Sequence, residues 1–130
     1  MGESDYHRIL VGLGRSRFRA RFRLDHKDLG YLSRSGLKTI ENHARDFVAR
    51  RLAPAHPQKD GKQTPFRGHP VFKAQHATAS CCRKCLCQWH GIGQGRELHE
   101  REIAGIVGLI MEWIRLQNAK AEALSEMTKT

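Results

Sequence analysis

Four cysteines, Cys81, Cys82, Cys85 and Cys87, are the only ones in the chain, and they fall within seven residues. His69, His76 and His90 flank them. Thiolates and imidazoles are the side chains that hold zinc, and a closed tetrahedral site needs four of them, usually supplied as sequence-near pairs. Cys82 and Cys85 have the C-x2-C spacing that turns two thiolates back on one ion. His90 follows at C-x4-H, and His76 precedes at H-x5-C. The expected site is therefore Zn2+ on His76, Cys82, Cys85 and His90. His69, Cys81 and Cys87 can each replace a member of that set. Arg83 and Lys84 sit between the thiols, where their charge offsets that of the thiolates and favours the metal-ready form. A zinc knuckle would want cysteine where Gly95 stands, and a two-histidine finger would want a partner three to five residues beyond His90. Neither pattern is complete. The competing readings are small buried core thiols with a hydrogen-bonded histidine, or an iron–sulfur or redox role.

Catalysis by the same residues is a narrower option. A Cys–His pair is a possible nucleophile and base, but four clustered cysteines dilute that reading. Asp60 is the one acid between residues 59 and 96, which argues against a carboxylate-rich two-metal site. A single open-site metal involving His69 and His76 is the enzymatic alternative.

The surrounding charge points to an anionic partner. The net charge is +10, spread unevenly. Residues 1–58 carry 12 Lys/Arg against 6 Asp/Glu, residues 59–96 carry 7 against 1, and residues 97–130 carry 4 against 6. A basic front with an acidic end is the footprint of a nucleic-acid binder. The candidate contacts are the row Arg15, Arg17, Arg19, Arg21 and Arg23, the loop cations Lys62 and Arg67, and Arg83 and Lys84. An acidic protein partner would leave the same trace, and charge that merely maintains solubility is the plainer reading. At 130 residues with 39% hydrophobic content, one domain with a modest core is expected, and a metal cross-link would help it. The chain has no run near the roughly 20 apolar residues of a membrane span, and its N-terminus does not resemble a signal peptide. It reads as a soluble, cytoplasmic protein.

The elements that must position these residues are mainly helical. Residues 5–13 read as a short helix with Asp5 as cap. From Phe18 to Leu24 apolar and basic residues alternate, which slightly favours one extended segment with Phe and Leu inward and guanidinium groups outward. Asp25 and Asp28 resemble a capping box opening a helix that ends at Gly36. Leu37, Ile40, Ala44, Phe47, Val48 and Leu52 form one apolar stripe, stopped by Pro54 and Pro57. Residues 53–69 are loop. Pro70 suits the first position of a two-turn helix presenting His76. A last helix starts near His99, with Leu98 and Ile103 as a staple and Glu102 at the reciprocal capping position. Its stripe runs from Ile103 to Gln117. The expected organisation is one helical domain over 1–117 with a metal module at about 65–92, and a helical or frayed tail over 118–130.

The stretch D-G-K-Q-T-P-F-R-G-H-P-V-F-K-A-Q-H-A-T-A-S-C-C-R-K-C-L-C-Q-W-H-G-I, preceded by H-A-R-D-F-V-A-R-R-L-A-P-A, resembles the small bacterial family catalogued as domain of unknown function 4186. The resemblance covers roughly residues 14–116. It implies an intracellular protein of bacterial or phage context and carries no activity with it. The family pattern contains Cys81-Cys82-Arg83-x-Cys85-Leu86 and Trp89-His90, and it does not require cysteine at Cys87. His76 and His69 both lie inside it. Together these readings lead to a zinc-stabilised basic protein that binds nucleic acid. A metal-dependent enzyme acting on nucleic acid and a small module for an acidic protein partner are the alternatives.

Overall fold

The computed structural model describes residues 3–128, and among them every regular element is a helix. α1 is Glu3–Leu13, α2 Arg17–Ala20, α3 His26–Ser35 and α4 Leu37–Phe47, which runs on into a π-helical turn, Val48–Leu52. α5 is Pro70–Ala77, α6 Arg83–His90 and α7 Glu100–Met127. No helix among the described residues is long and apolar enough to cross a membrane.

α7 is the spine, with α1, α4 and α5 packed along it. Its start is fixed by a capping box in which the His99 ring accepts from the Glu102 amide and the Glu102 carboxylate accepts from the His99 amide. Ile103, Ile106, Val107, Ile110 and Ile114 then face Ile40, Ala44, Val48 and Leu52 of the preceding stripe in one core. Gln117, at the end of that stripe, accepts from the Leu24 amide at 3.1 Å. Beyond it the helix continues to Met127 with its side chains largely exposed. Leu37 departs from expectation: at the first position of α4, directly after the Gly36 cap, it is 39% exposed.

α3 opens on the anticipated capping box of Asp25 and Asp28. Lys73 of α5 bridges both carboxylates and ties α3 to the helix that carries His76. The arginine row is a correction. It is not extended, because the Ser16 side chain accepts from the Arg19 amide and caps a single helical turn. The expected polarity is reversed there, with Phe18 47% exposed and Arg19 only 7% exposed.

Arg83 is the largest side chain in the deep interior, at 1% exposure. Nη1 donates to the carbonyl oxygens of Pro54 (2.9 Å), Leu52 (3.3 Å) and Ala53 (3.5 Å). Nη2 donates to those of Gly93 (2.7 Å) and Arg96 (2.8 Å). A helix end leaves its last carbonyls without intrahelical partners, and the proline that stops this one lets α6 supply them. Arg83 therefore clamps the π-turn to the 93–96 loop. Arg83 is not the nucleic-acid contact the sequence suggests, since a fully buried guanidinium cannot meet a phosphate.

Candidate metal centre

The break between α5 and α6 builds the site. The Gln75 side chain donates to the Ser80 carbonyl at 3.0 Å, the Ser80 amide donates back to the Gln75 carbonyl at 2.8 Å, and Thr78 Oγ1 bonds the Ala74 carbonyl at 2.7 Å. Ala79 sits at φ 57°, a conformation that lets the chain reverse. Thr64 Oγ1 then holds the Cys81 carbonyl at 2.7 Å. Cys82 follows in extended geometry as the N-cap of α6, with its sulfur accepting from the Cys85 amide at 3.4 Å. Adjacent residues in a regular strand would point apart. At this cap they do not: the Sγ atoms of Cys81, Cys82 and Cys85 all lie within 4.8 Å of one another.

The trio shares charge unequally. The Cys85 thiol is drawn down to about 5, chiefly by a hydrogen bond from Cys81 and then by those from Cys82 and Arg19. The Cys81 thiol is pushed up by that same bond and by burial, and Cys82 is pushed up mainly by burial. One thiolate is thus cradled by two thiols and a guanidinium. That guanidinium belongs to Arg19, whose Nη2 lies 3.3 Å from Cys85 Sγ and whose Nη1 donates to the His76 carbonyl at 2.6 Å. Arg19 is therefore an internal counter-ion, and its expected contact with nucleic acid is corrected for the same reason as that of Arg83. The role of charge partner to the thiols, expected of Arg83, falls to a residue more than sixty positions away in sequence.

The histidines are placed differently from the expected set. His76 Nε2 lies 3.1 Å from the Thr64 carbonyl and 3.2 Å from that of Pro65, and His90 Nε2 lies 2.7 Å from the Thr78 carbonyl. A carbonyl only accepts, so Nε2 carries the proton in both rings and Nδ1 is left bare. Burial holds both imidazoles below their ordinary pKa, opposed in part by the Cys85 charge. A hydrogen bond from one ring nitrogen to a carbonyl is the usual way a ligating imidazole has its tautomer fixed. Neither ring nevertheless joins the three sulfurs within 4.8 Å. The fold gathers Cys82 and Cys85 with Cys81, while His76 and His90 stand outside that group but close enough to feel the Cys85 charge.

His69 and Cys87 lie apart from the group. His69 caps α5, with Nδ1 accepting from the Val71 amide at 3.0 Å, and its Nε2 meets His43 Nδ1 at 3.0 Å. Burial, then the nearby His43, takes it down to about 4. Cys87 is exposed on α6.

A family model described as Domain of unknown function (DUF4186) matches residues 7–115. The chain belongs to this family. The DUF4186 match takes in the three thiols, Arg19, Arg83, His76 and His90, so the whole centre is part of the family domain rather than an appendage to it. No solved structure matches the chain.

The residues of this DUF4186 domain suit a soft divalent ion. Tetrahedral zinc with bonds near 2.3 Å places its sulfurs about 3.8 Å apart, and three sulfurs within 4.8 Å of one another are within reach of one such ion. Thiolates select zinc, copper(I) or iron–sulfur centres over hard cations. Three thiolates on a divalent ion leave one negative charge, and Arg19 stands in contact to balance it.

Proposed function

We propose that this protein uses a zinc–thiolate centre to hold a basic, aromatic surface that binds single-stranded nucleic acid. Cys81, Cys82 and Cys85 would hold the ion, and the bare Nδ1 of His76 or His90 would complete the set. The zinc would supply a cross-link between the α5–α6 turn and α6. The observation that carries the reading is the double role of Arg19, which touches Cys85 and also lies under the exposed rings around it. Its guanidinium carbon is 5.2 Å from the Trp89 ring centroid and 5.7 Å from that of Phe18.

Those rings belong to a larger surface. Phe18 meets Phe22 edge-on at 5.3 Å, and Phe22, Phe66 and His76 lie nearly parallel, with Phe66 4.3 Å from His76. Phe66 is 61% exposed and Trp89 42% exposed. Isolated exposed apolar residues need no explanation, but two large rings over one guanidinium, with Phe66 stacked on Phe22 and His76, form a stacking platform. Arg15, Arg17, Arg21, Arg23, Lys62, Arg67 and Lys84 are all exposed in the segments that carry these rings or near them in sequence. Rings that stack bases beside cations that meet phosphates are how single strands are held without sequence readout. Unpaired bases reach such rings, whereas paired ones do not.

Fluorescence anisotropy with labelled oligonucleotides, titrated with salt, tests this reading. Single strands should bind with affinity falling steeply as salt rises. Trp89→Ala and Phe66→Ala should each weaken binding about 5- to 150-fold, from about 1–3 kcal/mol per stacked base. Equal binding of duplex and single strand by parent and variants, or no binding at low salt, would refute it.

One observation favours a second reading, a metal-dependent enzyme acting on nucleic acid. The cluster holds three ligands rather than four, and catalytic zinc keeps an open position. A water in the metal's coordination shell, together with cleavage of an oligonucleotide, would support it over the scaffold role.

A further inference from the structure

A second site of different chemistry lies on the other side of the 53–65 loop. A cavity of about 730 Å³ opens between the π-turn and that loop, lined by Arg50, Arg51, His56, Lys59, Lys62 and Gln63 among others. That volume is in the range of small-ligand pockets. None of the lining residues is a carboxylate. Asp46 engages Arg50 at 2.8 Å and is not part of the lining, while Arg51, Lys59 and Lys62 have no ion pair with an acid among the described residues. Arg51 is held in place without being neutralised, its guanidinium carbon 4.8 Å from the Phe47 ring centroid and 5.4 Å from that of Phe72.

Two further features mark the cavity as built. Gln63 is only 7% exposed, and its Oε1 accepts from the Gly61 amide at 2.8 Å. Nε2 has no hydrogen-bond partner, an omission that ordinarily costs about 1–3 kcal/mol for a buried donor. Lys59 adopts φ 55°, a left-handed conformation unusual for a residue with a side chain, and its carbonyl accepts from the Lys62 amide at 2.7 Å. The turn thus holds Lys59 and Lys62 at the rim while Gln63 waits for an acceptor.

We propose that this cavity binds a phosphate-bearing ligand of about mononucleotide size. Several cations, an orphan amide donor and a lining without a carboxylate, with Asp46 occupied by Arg50 and Asp60 outside the lining, select a multiply charged group rich in oxygen acceptors. The phosphate can belong to a free phosphorylated compound or to the 5′ end of a strand. Pro65 lines the cavity and the next residue is the exposed Phe66, so a strand end there would lie beside the stacking surface. The site rests on the cavity's own residues and requires neither the metal nor the nucleic-acid reading.

Isothermal titration of the full chain with inorganic pyrophosphate and with adenosine monophosphate tests it. Both should bind saturably. The double variant Lys59→Gln/Lys62→Gln, which changes only exposed side chains, should lose at least tenfold in affinity, and Lys38→Gln on α4 should lose none. An oligonucleotide binding about tenfold tighter with a 5′-phosphate than with a 5′-hydroxyl, in competition with pyrophosphate, assigns the phosphate to a strand end. Equal binding of the two oligonucleotides, with monophosphate still bound, assigns it to a free compound. Absence of saturable binding by either small anion, or equal affinity in parent and double variant, overturns the proposal whatever the oligonucleotides do elsewhere.

Discussion

Arg83→Met would remove the guanidinium while keeping an apolar stem in its channel. Three of the five hydrogen bonds are short, to Gly93, Arg96 and Pro54 at 2.7–2.9 Å. Bonds to a charged group contribute about 1.5–3 kcal/mol each, so these three amount to roughly 5–9 kcal/mol. Against that stands the desolvation of a cation that donates only to carbonyls and whose Nε lacks a partner among the described residues, offset in part by the charges of Glu102 and Asp60. That penalty is several kcal/mol, and burial draws the Arg83 pKa down for the same reason. Arg83→Met leaves these buried carbonyls without their donor, at about 1–3 kcal/mol for each acceptor left unmet, so a net loss of about 3–5 kcal/mol is expected once the relieved desolvation is set against it. At about 3–5 °C per kcal/mol for a domain of this size, Tm should fall by roughly 10–20 °C. Arg83→Lys keeps the charge but, as a point donor, cannot serve the π-turn and the 93–96 loop together, and should recover about half of the loss. Thermal and urea unfolding followed by circular dichroism would read both variants, with metal content measured on the same samples. An Arg83→Met protein within about 1 kcal/mol of the parent would refute the clamp, as would full rescue by lysine.

His69 should make stability depend on pH. Its folded pKa of about 4 lies below the ordinary 6.5, so the unfolded chain takes the proton first, and stability is lost as pH falls from about 6.5 to about 4. The loss is on the order of 3 kcal/mol. His69→Asn, which keeps a capping side chain, should flatten that slope in denaturant titrations, leaving the smaller part due to His76 and His90. Glu102 acts at lower pH. Its carboxyl is held at about 2, chiefly by Arg96, so its contribution is present above about 4.5 and lost as pH falls through about 2. Glu102→Gln should remove that dependence from the acid limb of an unfolding titration. A Cβ at Gly108 would overlap the Tyr6 hydroxyl, so Gly108→Ala should push α1 off α7 and cost about 1–3 kcal/mol, visible as faster hydrogen exchange in α1. Cys87→Ser should leave metal content and stability unchanged, because that thiol is exposed and outside the trio.

What was legible in the chain was local. The Asp25–Asp28 box, the Leu37–Leu52 stripe and the His99–Glu102 start each depend on residues a few positions apart, and each is found close to where it was expected. Leu37 is the exception, because one residue decides whether a helix edge is covered. The arginine row was misread because alternation cannot reveal which single cation turns inward, and Arg19 is chosen by Cys85 and the His76 carbonyl, both far away in sequence. Arg83 was misread for the same cause, its acceptors lying near residues 53 and 95. Within the site, C-x2-C marked Cys82 and Cys85. Cys81 stayed undecided because only the cap geometry at Cys82 makes neighbouring thiols converge. His76 lies on the expected two-turn helix and His90 ends α6, a helix the sequence reading does not contain, and both turn Nε2 to carbonyls that no spacing rule discloses. The alternation points Phe18 inward where it is exposed, and nothing links it to Phe66 and Trp89, which are scattered over more than seventy residues.

Metal analysis joined to X-ray absorption on the purified full chain tests the central claim most directly. The account predicts one zinc per chain with three sulfur neighbours and one nitrogen or oxygen, and loss of the metal in Cys81→Ser. A folded protein that takes up no zinc would contradict it, and so would a Cys81→Ser variant that binds zinc as tightly as the parent.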